Sequence, residues 1–299
     1  MNNKKGIALA ILAAVLYAIG SPISKILLEY VPPTMMAAFL YIGAGIGMAI
    51  ISLVRKFKKN NKTELSLTKK ELPYTIAMII LDIIAPIFLM FGLKMTTAEN
   101  VSLLNNFEIV STALIAFIVF KESVSKRLWC GITLITIASV ILSIEDFSSL
   151  KFSFGSIFVI IACICWGFEN NCTKKIASKN PIQIVLLKGI FSGLGAFIIA
   201  LIIGEKITVW WSVIVALCVG LIAYGFSIYF YVYAQRELGA AKTSAYYAIA
   251  PFVAVALSMI IFKNELTLNF IIALLIMILG AFVASSDKPF FKGKNNLLS

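Results

Sequence analysis

The sequence predicts an all-α integral membrane protein of ten transmembrane helices, arranged as two inverted five-helix repeats. Three observations carry this. Of 299 residues, 61% are hydrophobic and only 13% charged, with a mean hydropathy of +0.98. Soluble domains run about 45–50% apolar and about 25% charged, so this surface needs lipid as its solvent. The apolar residues fall into ten runs, and the second five of these resemble the first five.

A helix needs about 20 residues to cross the hydrocarbon. Runs of that order occupy 6–28, 34–54, 72–93, 96–119, 127–144, 154–176, 181–203, 209–234, 240–262 and 267–286. With the N-terminus cytoplasmic, the inner segments at 4–5, 55–70, 121–127, 174–179, 236–242 and 288–294 collect twenty Lys/Arg. The outer loops hold only Lys94, Lys151, Lys206 and Lys263, and Lys25 and Lys188 lie inside spans. That bias places both termini in the cytoplasm of a plasma-membrane protein. It also accounts for the formal charge of +12 without nucleic acid. The start, "MNNKKGIALAILAAVLYAIGS", has the form of a secretory signal, but its likeness to the sixth run marks it as a retained helix. The basic insert "RKFKKNNKTELSLTKKE" (55–71) is a cytoplasmic linker suited to anionic lipid.

At a shift of 149 residues Gly6 meets Gly155, Tyr17 meets Trp166, Lys25 meets Lys174 and Pro32 meets Pro181. Later, "FKES" (120–123) and "FKNELT" (262–267) align after a small gap, so that Glu122 meets Glu265. Five spans per half is an odd number, so repeats 1–149 and 150–299 must insert in opposite directions. Secondary transporters commonly have this architecture, with the site near the midplane. The paired glycine runs "GAGIG" (43–47) and "SGLGA" (192–196) read as close helix packing rather than a phosphate cradle, which needs a strand before the helix.

These motifs resemble those of the EamA-type permeases of the drug/metabolite transporter superfamily. The marks are "YAIGSPISK" (17–25) and "WGFENNCTKK" (166–175), Pro32 and Pro181 opening second helices, "KESVSKRLWCG" (121–131) and "NELTLNF" (264–270). The resemblance spans nearly the whole chain. It implies a central cavity lined by the first, third, fourth, sixth, eighth and ninth helices, with alternating access by rocking of the bundles. In one respect the chain departs from that family. Its fourth helices often carry a proline, as in "YAIAPFVAVALS" (247–258), and the alignment sets Glu108 opposite Pro251.

Intramembrane ionisable groups are rare and usually face a cavity or each other. Asp82, Glu108 and Glu169 are the three carboxylates well inside spans. Glu169 and Lys188 sit at similar depth on adjacent antiparallel helices, so either an ion pair or solute contact is expected of Glu169, and solute contact of its neighbour Asn170. If the pair is the whole of it, exchanging the two residues restores what each single mutant loses. Asp82, four residues before Pro86, either repairs the proline bend or faces the cavity. Ser102, Asn105, Glu108 and Thr112 form a polar stripe at helical spacing, expected to line the cavity; the alternative is a protonated Glu108 bonded to Asn105. Lys25 and Lys174, near span ends, would snorkel to headgroups. Tyr17, Trp166, Tyr224, Tyr231, Tyr246 and Tyr247 lie on helices expected to face the cavity, whereas Trp210 and Trp211 suit an interfacial belt.

Enzyme classes are poorly served. There is no histidine, no Walker loop and no paired-aspartate metal motif, and the five cysteines form no C-x-x-C. No cofactor and no metal is expected, and the cysteines read as inert buried thiols. The reading is a secondary transporter of a small organic solute. An amine or organic cation fits best, held by Glu108 and aromatic faces through charge and cation–π attraction. Low dielectric disfavours a carboxylate, so Glu108 would also exchange protons. A neutral or zwitterionic amino acid, carried without proton coupling, is the alternative, with a membrane-embedded enzyme remote.

Overall fold

The computed structural model describes residues 3–57, 65–121, 124–146, 151–176, 179–238, 243 and 246–285. Eight of its helices are long and apolar enough to cross a membrane. They are α1 (Lys4–Leu27), α2 (Pro33–Val54), α3 (Lys69–Met95), α4 (Ala98–Ile118), α5 (Lys126–Ser143), α6 (Phe154–Ile176), α7 (Pro181–Ile202) and α8 (Trp210–Tyr231). Two shorter apolar helices follow, α9 (Ala250–Phe262) and α10 (Leu268–Ala284). The ten expected runs thus each meet a helix within a few residues, except that the start of the ninth falls partly outside the described residues. Glu122, Lys242, the C-terminal lysines and residues 58–64 of the basic insert also lie outside them. One element was not expected: strands β1 (Ile144–Asp146) and β2 (Lys151–Phe152) pair antiparallel between α5 and α6.

Helix ends are fixed by local chemistry. The Asn180 side chain accepts from the backbone N–H groups of Ile182 and Gln183, with Pro181 preset for the first turn of α7. Ser125 and Thr97 cap α5 and α4 in the same way. Glu205, from the connection after α7, accepts from the N–H groups of Thr34 and Met35 at 3.1 and 2.7 Å and so closes the start of α2. Lys25 is not a snorkelling group. Its ammonium donates to the carbonyls of Leu93 and Thr96 at 2.6 and 2.7 Å, neutralising the C-terminal end of α3.

The bundle is seamed by glycine. A Cβ on Gly189 (α7) would lie 2.4 Å from the Gly45 backbone (α2), and one on Gly43 would lie 2.1 Å from the Leu217 carbonyl (α8). Without such gaps α2 could not pack against α7 and α8 together, so the glycine runs do serve helix packing. Elsewhere α3 packs on α6 and α8 on α1, α4 packs on α6 and α9 on α1, α5 pairs with α10, and α4 with α9. The outer surface is apolar: Ile202 is 77% and Phe282 67% exposed, and Trp210 and Trp211 are exposed as a belt requires.

Four helices are irregular. α1 breaks at Ile19, and α4 breaks at Asn105 and Asn106, where the chain makes successive i→i−3 bonds before the helix resumes at Phe107. π-turns interrupt α7 at Lys188–Ser192 and α8 at Gly220–Phe226. Such π-turns frequently mark functional positions. Before α9 the chain also turns, at Ala248 and Ile249.

Candidate functional site

The polar groups of the interior gather in two adjoining clusters, joined by consecutive residues of α6. In the first, Lys188 lies 2.8 Å from Glu169 and 3.1 Å from Asp82, so one ammonium serves two carboxylates. The contact with Glu169 is a directed hydrogen bond, and Thr173 also donates to that same oxygen. Asp82 accepts from the Tyr41 hydroxyl at 3.0 Å. The Asp82 side chain is sealed and that of Glu169 nearly so, while Lys188 remains 14% exposed. The Glu169–Lys188 pair expected from depth is therefore present, with an unexpected third member. Asp82 neither repairs the Pro86 bend nor lines open space; it faces sideways from α3 to meet α7 and α2.

In the second cluster, the Asn170 amide donates to Glu108 at 2.6 Å and to the Thr112 hydroxyl at 3.3 Å. Among the described residues no cation lies within ion-pair distance of Glu108. The carboxylate is only partly buried, as are Thr112, Asn170, Tyr17 and Tyr247. Each of these five retains some accessible surface, whereas Trp166 and Ser102 are buried.

The stripe expected along α4 is not continuous, because the break at Asn105 and Asn106 interrupts its register. The Ser102 hydroxyl donates to the Ala98 carbonyl one turn back in its own helix. The Asn105 side chain is not the partner of Glu108; its carbonyl oxygen, like that of Asn106, is buried without a hydrogen bond. The thiol of Cys163 instead covers the main-chain carbonyls of Leu104 and Asn105 that the break frees, at 3.7 and 3.9 Å. It is a buried thiol with a structural task.

Aromatic rings connect the two clusters. Tyr41 and Tyr224 have centroids 5.5 Å apart, Tyr224 and Tyr17 5.9 Å, Tyr17 and Tyr247 6.0 Å, and Tyr247 and Tyr231 4.9 Å. The Tyr224 hydroxyl is in electrostatic range of both Asp82 and Glu108, and those of Tyr17 and Tyr247 are in range of Glu108. Tyr246, by contrast, is 37% exposed and stands outside this group. Sequence reasoning missed Tyr41, which sits in a glycine-rich apolar run with no polar neighbour to single it out.

A separate cavity of about 250 Å³ opens at one end of the bundle, between the starts of α4, α6 and α10 and the end of α5. Glu99, buried beside it, accepts from the Asn264 amide through both oxygens at 3.2 Å. None of the residues expected at the solute site lines it, whereas the motif "NELTLNF" (264–270) supplies much of its wall.

Apolar spans enclosing a sealed ion cluster and a tyrosine-walled carboxylate define a multi-pass membrane protein of transporter type. The model of the EamA-like transporter family matches residues 4–144 and again residues 153–286, and the chain belongs to that family. It is 26% identical to an uncharacterized transporter of Methanothermobacter thermautotrophicus over 95% of this chain and 87% of that one. It is 21% identical to the uncharacterized transporter YyaM of Bacillus subtilis, covering 88% of each. A protein of known crystal structure, 14% identical, superposes with a TM-score of 0.66 over 95% of this chain and 98% of its own, a likeness of fold.

Proposed function

We propose that the chain is a secondary active transporter of a small organic amine or cation, working by alternating access, in which Glu108 exchanges a proton for the ammonium of the solute. Its ten helices form two five-helix repeats, 1–149 and 150–299, inserted in opposite senses in the plasma membrane with both termini cytoplasmic. The double match of the family supports the repeat. So do the principal helix contacts, which map onto one another when each helix is replaced by the one five places away: α3 on α6 becomes α8 on α1, α4 on α6 becomes α9 on α1, and α2, α4 and α5 pair with their own counterparts. Setting Glu108 opposite Pro251 also superposes the break at Asn105–Asn106 on the turn at Ala248–Ile249. The backbone is irregular at the same place in both halves, although only one of them has the proline.

One observation carries the functional reading. Glu108 lies mid-span, partly accessible, bonded to a neutral amide, walled by tyrosines and free of any ion pair among the described residues. A carboxylate so placed recruits either a proton or a cation, and aromatic faces favour the cation. A zwitterion would require a partner for its own carboxylate, and the ammonium of Lys188 already serves two acids. The test is amine flux into proteoliposomes under an imposed pH gradient. Flux should follow the gradient in the wild type and lose that dependence in Glu108→Gln. Proton-driven flux persisting in Glu108→Gln would exclude the coupling role.

A further inference from the structure

In the two adjoining clusters, three carboxylates (Asp82, Glu108 and Glu169) share one ammonium, that of Lys188, among the described residues. With every acid ionised, two negative charges would remain uncompensated in a low-dielectric core, and proteins do not hold such charges bare. The core therefore accommodates two further positive charges. The hydrogen bonding says where. Lys188 makes its directed bond to Glu169, which Thr173 also serves, so Glu169 is the acid already neutralised. Asp82 touches Lys188 at 3.1 Å through an oxygen that makes no hydrogen bond, and its other oxygen is held by the neutral Tyr41 hydroxyl. Asp82 and Glu108 are the two acids in excess.

What lies between them is aromatic. From Asp82 the path runs over Tyr41 and Tyr224 to Tyr17 and Tyr247 beside Glu108, with each successive pair of rings about one ring contact apart at 5.5–6.0 Å. Of these four tyrosines, Tyr224 is the one in electrostatic range of both acids. Two acidic poles joined by tyrosine faces match a molecule with a cationic group at each end and an apolar chain between.

Resting on the amine reading above, we infer that the preferred solute is an organic dication of the diamine class, one end held by Glu108 and the other by Asp82. Asp82 is sealed while Lys188 is the exposed member of its cluster, so the second ammonium reaches Asp82 by displacing the lysine toward Glu169, to which it is already bonded. The groups facing Asp82 are then Lys188, Glu169, Tyr41 and Tyr224. Those facing Glu108 are Asn170, Thr112, Tyr17, Tyr224 and Tyr247, with Glu169 and Lys188 further off. Charge balances if each ammonium end releases one carboxyl proton to solvent. A diamine therefore exchanges for two protons and a monoamine for one.

The experiment is proton release from the purified protein in weakly buffered detergent solution. It is followed with a pH indicator as butylamine, or diamines from diaminoethane to diaminohexane, are added at the working pH. Wild type should release one proton per butylamine bound and two per diamine, with an optimum in diamine chain length. In Asp82→Asn the diamine should release no more than the monoamine. Glu108→Gln, which leaves the Lys188 cluster intact, should likewise cut diamine release to one. If butylamine releases one proton and no diamine releases more, the dication inference is overturned while the amine reading stands. If neither kind of amine binds the wild type, both fall.

Discussion

Replacing Lys188 with Met removes the only ammonium in a sealed cluster and leaves Asp82 and Glu169 facing each other across the vacated position. Lys188 makes contacts of 2.8 and 3.1 Å, and the two carboxylate side chains are 3% and 0% exposed. Breaking a buried pair in this way costs about 3–5 kcal/mol, a large part of the roughly 5–15 kcal/mol that holds a typical fold. That corresponds to about two to three and a half orders of magnitude in the folding equilibrium. Thermal unfolding of detergent-purified protein, read by size-exclusion fluorescence, should show a clear loss in Lys188→Met. The cluster then makes a distinction that a simple pair does not. Reversing the charges with Glu169→Lys and Lys188→Glu would rebuild a pair but replace the ammonium beside Asp82 with a second acid, whose place there is tolerated only while one of the two keeps its proton, so stability should stay below wild type. Neutralising all three with Asp82→Asn, Lys188→Met and Glu169→Gln should recover most of it, because neutral polar groups of similar size leave no bare charge. Full recovery by the reversal, or a Lys188→Met protein as stable as wild type, would refute the three-membered cluster.

Other consequences are as direct. Gly189→Ala should destabilise by about 1–3 kcal/mol, since its Cβ meets the Gly45 backbone at 2.4 Å, and thermal unfolding would show it. Gly195→Ala should cost less than Gly189→Ala in the same assay, because its Cβ meets the Ile83 side chain, at 2.3 Å from Cδ1 and 2.9 Å from Cγ1, rather than backbone. Glu205→Ala should lose about 1 kcal/mol by freeing the N–H groups of Thr34 and Met35; an unchanged unfolding temperature would deny the cap. In a cysteine-free background, a cysteine at Lys206 should react with an impermeant maleimide added outside cells, and one at Lys56 only after permeabilisation. The opposite pattern would invert the topology.

Composition and periodicity were enough to determine the membrane solvent, the positions of the apolar helices and the duplication. These are one-dimensional properties: a span is a run of apolar residues, and a duplication is a run of matches at a fixed shift. The depth of an ionisable group can also be read along the chain, which is why Glu169 and Lys188 could be matched from their distance to the membrane surface. The rotation of a helix about its axis cannot be read in the same way when the helix is irregular. The spacing of Ser102, Asn105, Glu108 and Thr112 describes one face only if α4 is continuous, and its break separates Ser102 from the other side chains. Asp82 found Lys188 and Tyr41 because the glycine seam draws α2 and α7 together beside α3, an approach fixed by three-dimensional packing. Tyr41, silent in the sequence, became a hydrogen-bond donor for the same reason. The sequence by itself determined which charges must be buried. The tertiary structure alone decided which of them are paired, because ion pairing depends on angles and distances between helices that no local pattern encodes.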